Sequence, residues 1–188
     1  MNAGQWAFVG LVVVVACARL VELRVAKQHL AWARERGGVE RGAGHYPVMV
    51  VLHSALLVGA PLEVWLLDRP LVPVLAVTML VLLGAAHTLR WWCIRSLGPQ
   101  WNTRVVVVPG LALVSRGPYR YGWLRHPNYV AVVAEGLALP LVHGAWLTAT
   151  LFTLANLALL AWRVRVEERA LAELAAPPAG RHDMTVTT

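Results

Sequence analysis

The side chains best suited to chemistry lie at the edge of an apolar segment. Residues 125–129 read Arg-His-Pro-Asn-Tyr, and the apolar run that follows them carries a single acid, Glu135. Two basic groups, an amide and an aromatic hydroxyl beside a lipid-like segment could hold a polar cofactor next to a greasy substrate. This arrangement predicts a site at a membrane boundary.

A second group of polar residues follows at helical spacing. Asn156, Arg163 and Glu167 are separated by seven and four residues, which places them on one face of a helix. Asn128 and Glu135 are also seven apart. A turn of only His143-Gly144 makes the two helices antiparallel neighbours, so both polar faces are expected to line one cavity. Singly, such residues are as easily interhelical hydrogen-bond partners, but their convergence favours a site.

The composition indicates an integral membrane protein. Of the 188 residues, 58% are hydrophobic and 14% are charged, with a net charge of +7, whereas soluble domains carry about 25% charged residues. The positive charge suits anionic lipid headgroups better than nucleic acid. The sequence contains no dinucleotide or Walker motif and no metal-ligand set, and two isolated cysteines form neither a disulfide framework nor a zinc site.

Five apolar segments are the elements that must position these side chains. The segments span residues 6–25, 47–67, 71–94, 128–142 and 145–162. Because residues 1–5 carry no basic group, the first segment is interpreted as a span rather than a cleavable signal. Basic residues gather after the first, third and fifth segments, whereas the opposite loops contain only Arg69. The positive-inside rule then places the N-terminus outside and the C-terminus inside.

The expected architecture is an all-α integral membrane protein of about five transmembrane helices with a cytosolic cofactor-binding cap. Residues 1–95 would form helices 1–3, residues 96–175 a core with helices 4 and 5, and residues 176–188 a disordered tail. In the cap, residues 105–108 and 111–114 flank a Pro109-Gly110 turn and predict a small hairpin or an irregular structure.

Other ionisable residues in the segments carry weaker signals. His53 and His87 are interpreted as structural hydrogen-bond partners, and Glu63 as a solvated residue near the outer end of its helix. Arg19 and Glu22 are three residues apart and predict a structural ion pair.

Several of these motifs together resemble the isoprenylcysteine carboxyl methyltransferase family. They are Gly117-Pro118-Tyr119, Arg125-His126-Pro127-Asn128-Tyr129, Glu135, Asn156 and Arg163-x-x-x-Glu167-Glu168. The resemblance covers about residues 97–174. The stretch at residues 97–104 is most similar to a bacterial branch whose members methylate alkylpyrones and alkylresorcinols.

The resemblance implies an S-adenosylmethionine-dependent O-methyltransferase in the bacterial inner membrane, with its active site on the cytosolic side. Arg163 would hold a lipophilic methyl acceptor together with Asn156, and Glu135 or His126 would be a possible base. The residues implied in cofactor binding are Tyr119, His126, Pro127, Asn128, Tyr129, Glu167, Leu111 and Val114. No metal is implied.

Two departures from the family pattern and several alternatives remain open. Five residues instead of three separate Tyr119 from Arg125, so either Tyr119 or Tyr121 could face the cofactor. Pro177-Pro178 and polar residues stand where the family often has an aromatic C-terminal helix. The acceptor could be an isoprenylcysteine-type carboxylate or an alkylpyrone or alkylresorcinol hydroxyl, and the oligomeric state is open. A sterol-reductase-type enzyme using NADPH and a non-enzymatic membrane subunit are the competing interpretations.

Overall fold

A computed structural model of the protein describes residues 2–121 and 126–175. This part of the chain forms five α-helices and one pair of short strands. In chain order they are α1 (Ala3–Arg34), β1 (Val39–Arg41), α2 (His45–Leu66), α3 (Pro73–Leu97), β2 (Val105–Val107), α4 (Pro127–Leu141) and α5 (Trp146–Ala175). The predicted tail at residues 176–188 and the predicted site residue Arg125 lie outside the described residues.

Four of the five helices are long and apolar enough to cross a membrane: Ala3–Arg34, His45–Leu66, Pro73–Gln100 and Trp146–Ala170. The all-α, multi-pass architecture is therefore confirmed. Helix α4 has 15 residues, or about 22 Å at 1.5 Å per residue, and falls short of the ~30 Å hydrocarbon core. It lies inside the bundle instead, where Ala131, Ala138 and Leu139 are fully buried.

The helices alternate in direction, so α1, α3 and α5 end where α2 and α4 begin. Basic side chains gather at this end, called the basic end below. The core between the two ends packs Phe8 and Val12 of α1 against Val64 of α2 and Leu139 of α4. Gly136 lets α4 approach α5 closely, because a Cβ atom there would overlap the ring of Phe152.

At the opposite end, Glu63 caps the start of α5. Its carboxylate accepts hydrogen bonds from the backbone N–H groups of Leu147 (3.1 Å) and Thr148 (2.7 Å), and it pairs with Arg69 at 2.9 Å. The expectation that Glu63 is solvated is therefore wrong, since the residue is buried. The first N–H groups of a helix have no partner within the helix, and a carboxylate satisfies both their hydrogen bonds and the helix dipole.

A buried charge cluster joins three helices below the basic end. The Arg19–Glu22 ion pair expected from the sequence is present at 2.5 Å. The same Glu22 oxygen accepts a hydrogen bond from Arg90 Nε at 2.7 Å, and Arg19 Nη2 reaches Glu135 at 2.8 Å. Two positive and two negative charges thus balance one another within the bundle, as ionisable groups in apolar surroundings must.

The loops at the basic end, residues 35–44 and 98–121, are called the cap below and contain a two-stranded antiparallel sheet. Val39 pairs with Val107 and Arg41 with Val105, so the partner of β2 comes from the loop after α1. Residues 111–114, which would be the second strand of the hairpin that the sequence offered as one alternative, form no strand. The chain turns at Gly110, where φ is +79°, and continues as irregular structure. Of the two alternatives expected from the sequence, a hairpin or an irregular structure, the second is therefore present.

Candidate functional site

A cavity of about 520 Å³ opens between the cap and the basic ends of α1, α4 and α5. One wall is apolar and comes from residues 105–108 together with Leu111, Leu113 and Val114. The facing wall is polar and carries Asn128, Tyr129, Arg163 and Glu167. The volume falls within the range of about 300–1,000 Å³ that is usual for small-molecule pockets.

Arg163 of α5 is buried at this wall and has no acidic partner among residues 2–121 and 126–175. Its Nη2 donates to the backbone carbonyl of Thr103 and its Nη1 to the sulfur of Met49, both at 2.8 Å. Its Nε is buried and has no acceptor within the described part of the chain. The Tyr129 ring lies 5.5 Å from the guanidinium carbon, within cation–π range. Because all these partners are neutral, the arginine keeps a net positive charge beside the cavity.

The backbone that supports Arg163 is fixed to α1. Trp101 is almost fully buried, and its carbonyl oxygen lies 2.8 Å from His29 Nδ1. Asn102 Nδ2 donates to the carbonyl of Ala26 at 3.2 Å, and Asn102 Oδ1 accepts from the backbone N–H of Arg104. These contacts fix the Thr103 carbonyl that accepts from Arg163, so α1 takes part in positioning the guanidinium group.

Glu167 lies one helical turn beyond Arg163 on α5, and its carboxylate is held by α4. The Tyr129 hydroxyl donates to Glu167 Oε2 at 2.6 Å. His126, at the N-cap position of α4, stacks on Tyr129 with ring centroids 5.3 Å apart, and its Nδ1 lies 3.9 Å from the same carboxylate oxygen. An aromatic pair and a carboxylate therefore form one connected surface of the cavity.

Tyr119 completes the cavity from the side of α3. It belongs to a short 3-10 helix, Gly117–Arg120, that lies on the end of α3. Gly117 has a φ of +60°, and a side chain there would collide with Ser96. Burial raises the pKa of the Tyr119 phenol, and the neighbouring Cys93 thiol adds to this rise. The phenol therefore remains a neutral hydrogen-bonding group at physiological pH.

The structure brings most of the residues predicted for the site to one cavity. Those that line it are Leu111, Val114, Tyr119, His126, Asn128, Tyr129, Arg163 and Glu167. Pro127 is buried as the first residue of α4. Tyr121, the alternative to Tyr119, is 42% exposed and is not part of the lining.

Glu135 and Asn156 do not line the cavity. Glu135 pairs with Arg19 in the buried charge cluster, and Asn156 is 1% exposed, with neither amide atom bonded to another described residue. Among the weaker candidates, His53 Nδ1 lies 2.9 Å from the Met49 carbonyl, as expected of a structural partner. His87 Nδ1 has no partner among the described residues.

Sequence reasoning missed Thr103 and Met49, the two residues that hold Arg163. A backbone carbonyl and a thioether leave no recognisable signal in a sequence. It also missed Trp32, which lines the cavity from α1. The available sequence signal for Trp32 was its position among the basic residues that follow the first apolar segment.

The chemistry of the walls fits a ligand that is apolar at one side and charged at the other. Glu167 can attract a cation, and Asn128 Oδ1 is a buried acceptor without a partner among the described residues. Arg163 can attract an anion.

Comparisons with known proteins identify the family of the chain. The family model described as the isoprenylcysteine carboxyl methyltransferase (ICMT) family matches residues 76–173, which include α4 and all of the cavity's lining except the residues from α1. The chain is 36% identical over 164 residues to the uncharacterized protein YpbQ of Bacillus subtilis (strain 168), covering 87% of this chain and 95% of that protein. No solved structure matches. The chain belongs to the isoprenylcysteine carboxyl methyltransferase family, a family of membrane methyltransferases.

Proposed function

We propose that the protein is an S-adenosylmethionine-dependent O-methyltransferase that methylates a lipophilic acceptor at the cytosolic face of the membrane. The observation that carries the proposal is the buried Arg163 guanidinium, which faces the cavity without an acidic partner among the described residues. An anion-binding group and a cation-binding carboxylate, Glu167, share that cavity one helical turn apart. This is the pairing that an anionic acceptor and a cationic methyl donor require.

The cofactor is assigned to the part of the cavity around α4. S-adenosylmethionine supplies an electrophilic methyl group on a positively charged sulfur. Glu167 offers a carboxylate to the cofactor's positive charges, and Tyr129 holds that carboxylate in place. The Asn128 amide oxygen and the Tyr119 phenol provide polar contacts, while Leu111 and Val114 supply an apolar surface for the base.

The acceptor is assigned to Arg163. A carboxylate arrives ionised, because its ordinary pKa is near 4, so the guanidinium need only orient it. A phenol or enol hydroxyl starts with a higher pKa, near 10 for a phenol, and a neighbouring positive charge favours its anion. In both cases the chain supplies positioning, charge and exclusion of water rather than covalent chemistry.

Glu135 is not included as a base in this proposal, because its carboxylate is engaged by Arg19. His126 lies at the cavity and is the titratable candidate for taking up a proton from a hydroxyl acceptor. If Arg163 lowers the pKa of the acceptor hydroxyl, methyl transfer needs little assistance from a general base. The proposal therefore places acceptor activation on Arg163.

The test uses the purified full chain in nanodiscs with methyl-labelled S-adenosylmethionine. The acceptor panel contains a farnesylated cysteine carboxylate, an alkylresorcinol and an alkylpyrone. We expect label transfer to one acceptor class, and thermal stabilisation by S-adenosylhomocysteine but not by NADPH. Stabilisation by NADPH alone would support a reductase and overturn the proposal.

Replacement of Arg163 by Ala distinguishes acceptor binding, which is assigned to Arg163, from cofactor binding, which is assigned to the part of the cavity around α4. We expect kcat/KM for the acceptor to fall roughly 10- to 100-fold, the range for losing hydrogen bonds from a charged group. Binding of S-adenosylhomocysteine, measured by calorimetry, should change less than about threefold. Arg163→Lys keeps the charge and should recover part of the activity. Equal losses of turnover and cofactor binding in Arg163→Ala would contradict the assignment of Arg163 to the acceptor.

A further inference from the structure

A second crevice lies on the other side of the segment that holds Arg163. Its volume is about 500 Å³, and its walls are the basic-end half of α1, Tyr46 at the start of α2, and residues 102–104. Asn102 and Arg104 line both this crevice and the cavity described above. The cavity and the crevice are therefore neighbours, separated by the single backbone segment of residues 102–104.

The crevice is strongly basic. Lys27, Arg34 and Arg104 line it, and Glu40 is the one carboxylate within ion-pair distance of any of them in residues 2–121 and 126–175. Three positive charges against one negative charge leave a net charge of +2. Lys27 has no ion-pair partner in this part of the chain and is exposed.

One basic group is held in a fixed orientation. The Arg104 guanidinium lies over the Tyr46 ring, 4.0 Å from its centroid, while its Nη1 donates to Glu40 at 2.6 Å. Stacking fixes the plane of the guanidinium, and its other N–H groups remain for a further acceptor. A planar guanidinium with a nearby lysine is a usual arrangement for binding phosphate oxygens.

The floor of the crevice is apolar and continues toward the lipid-facing surface. Leu23, Ala26 and Leu30 line it along α1. Further along the same face of α1, Leu20 and Val13 are 59% and 54% exposed. An occupant with an anionic head and hydrocarbon chains would match both the basic mouth and this apolar path.

We propose that this crevice is a binding site for an anionic phospholipid of the leaflet at the basic end. Its phosphate would lie among Lys27, Arg34 and Arg104, and its acyl chains along Leu23 and Leu20. A lipid there would contact the wall that carries Thr103, whose carbonyl holds Arg163 on the other side. The lipid would therefore stabilise the segment on which the acceptor-binding arginine depends.

The experiment measures lipid binding and does not depend on methyl transfer. The full chain is reconstituted in nanodiscs of phosphatidylcholine and phosphatidylglycerol, and the lipids that remain bound after gentle release are identified by native mass spectrometry. We expect the native chain to retain phosphatidylglycerol preferentially. The double variant Lys27→Gln/Arg34→Gln should lower that preference roughly tenfold, because each basic group near a membrane surface contributes to binding anionic lipid.

The matched control is Arg24→Gln/Arg95→Gln. It removes the same charge from exposed positions near the basic end that do not line the crevice, and it should keep the preference. Equal loss in both double variants would show diffuse surface attraction and overturn the proposal. Displacement of the lipid by millimolar inorganic phosphate, or by a farnesylated or alkylresorcinol acceptor, would also overturn it. Unchanged thermal unfolding temperatures will show that the variants are folded.

Discussion

At the scale of the residue, the hydrogen bond from Tyr129 to Glu167 is the contact that ties α4 to α5 inside the cavity. Tyr129→Phe removes the hydroxyl that donates to Glu167 Oε2, so this oxygen loses the hydrogen bond. We expect the affinity for S-adenosylhomocysteine, measured by calorimetry, to fall about 5- to 10-fold. This is less than the roughly 10- to 100-fold range for losing a direct hydrogen bond to a charged group, because Tyr129 acts on the ligand through Glu167. Tyr121→Phe removes the same hydroxyl outside the cavity and should leave the affinity unchanged. No difference between the two variants would disprove the role of Tyr129.

Glu63 offers a second test at this scale, because it joins α2 to the first turn of α5. Glu63→Gln replaces a carboxylate that accepts from two backbone N–H groups and Arg69. We expect the free energy of unfolding to fall by about 1.5–3 kcal/mol. Thermal unfolding of detergent-solubilised protein measures this loss. Glu35→Gln, at an exposed position, should be neutral, and an equally neutral Glu63→Gln would refute the capping role.

At the scale of the element, the contact between α4 and α5 depends on the missing side chain of Gly136. Gly136→Ala would push a methyl group into the Phe152 ring, and overpacking of this kind costs about 1–3 kcal/mol. Gly84→Ala is the matched control, since a Cβ atom there meets open space on α3. It should be neutral or stabilising by up to about 1 kcal/mol. A stable Gly136→Ala protein in the same unfolding assay would show that the two helices can separate without loss.

The elements that the sequence predicts well are those with a long apolar signal. The spans corresponding to α1, α2, α3 and α5 follow from length and hydropathy alone. Strand β1 does not, because Val-Glu-Arg has no strand pattern and the strand exists only through its pairing with β2. Its partner is more than sixty residues away, a distance that no local pattern can bridge.

Helical spacing predicted which residues lie on the same face of a helix. It did not predict which of them lie at the same position along the helix axis. Arg163 and Glu167 are four residues apart and meet at the cavity. Asn156 is seven residues before Arg163, which is about 10 Å along the axis toward the membrane interior. Glu135 lies equally far from Asn128. Both therefore fall below the cavity, and the single polar cavity expected from the spacing extends only to the residues nearest the basic end.

At the scale of the whole molecule, the basic end of the bundle combines all the features that concern binding. The cavity, the neighbouring crevice and the cap lie there, while exposed apolar side chains extend along α1, α2 and α3. The buried charge cluster lies below the cavity and connects α1, α3 and α4. A cluster in this position holds the short α4 within the bundle, although α4 is too short to span the membrane by itself.

The cluster's charge balance leads to a test in which a second substitution repairs the first. Glu22→Gln leaves Arg19 and Arg90 with Glu135 as their one remaining acidic partner in the cluster. Loss of one partner from a buried ion pair costs about 3–5 kcal/mol, so we expect a large fall in the unfolding temperature. Adding Arg90→Met restores the balance to one positive and one negative charge, and the Arg19–Glu135 pair survives. The double variant should therefore be more stable than Glu22→Gln alone. If the two losses simply add, each arginine is accommodated independently of Glu22, and the cluster is not a single charge-balanced unit.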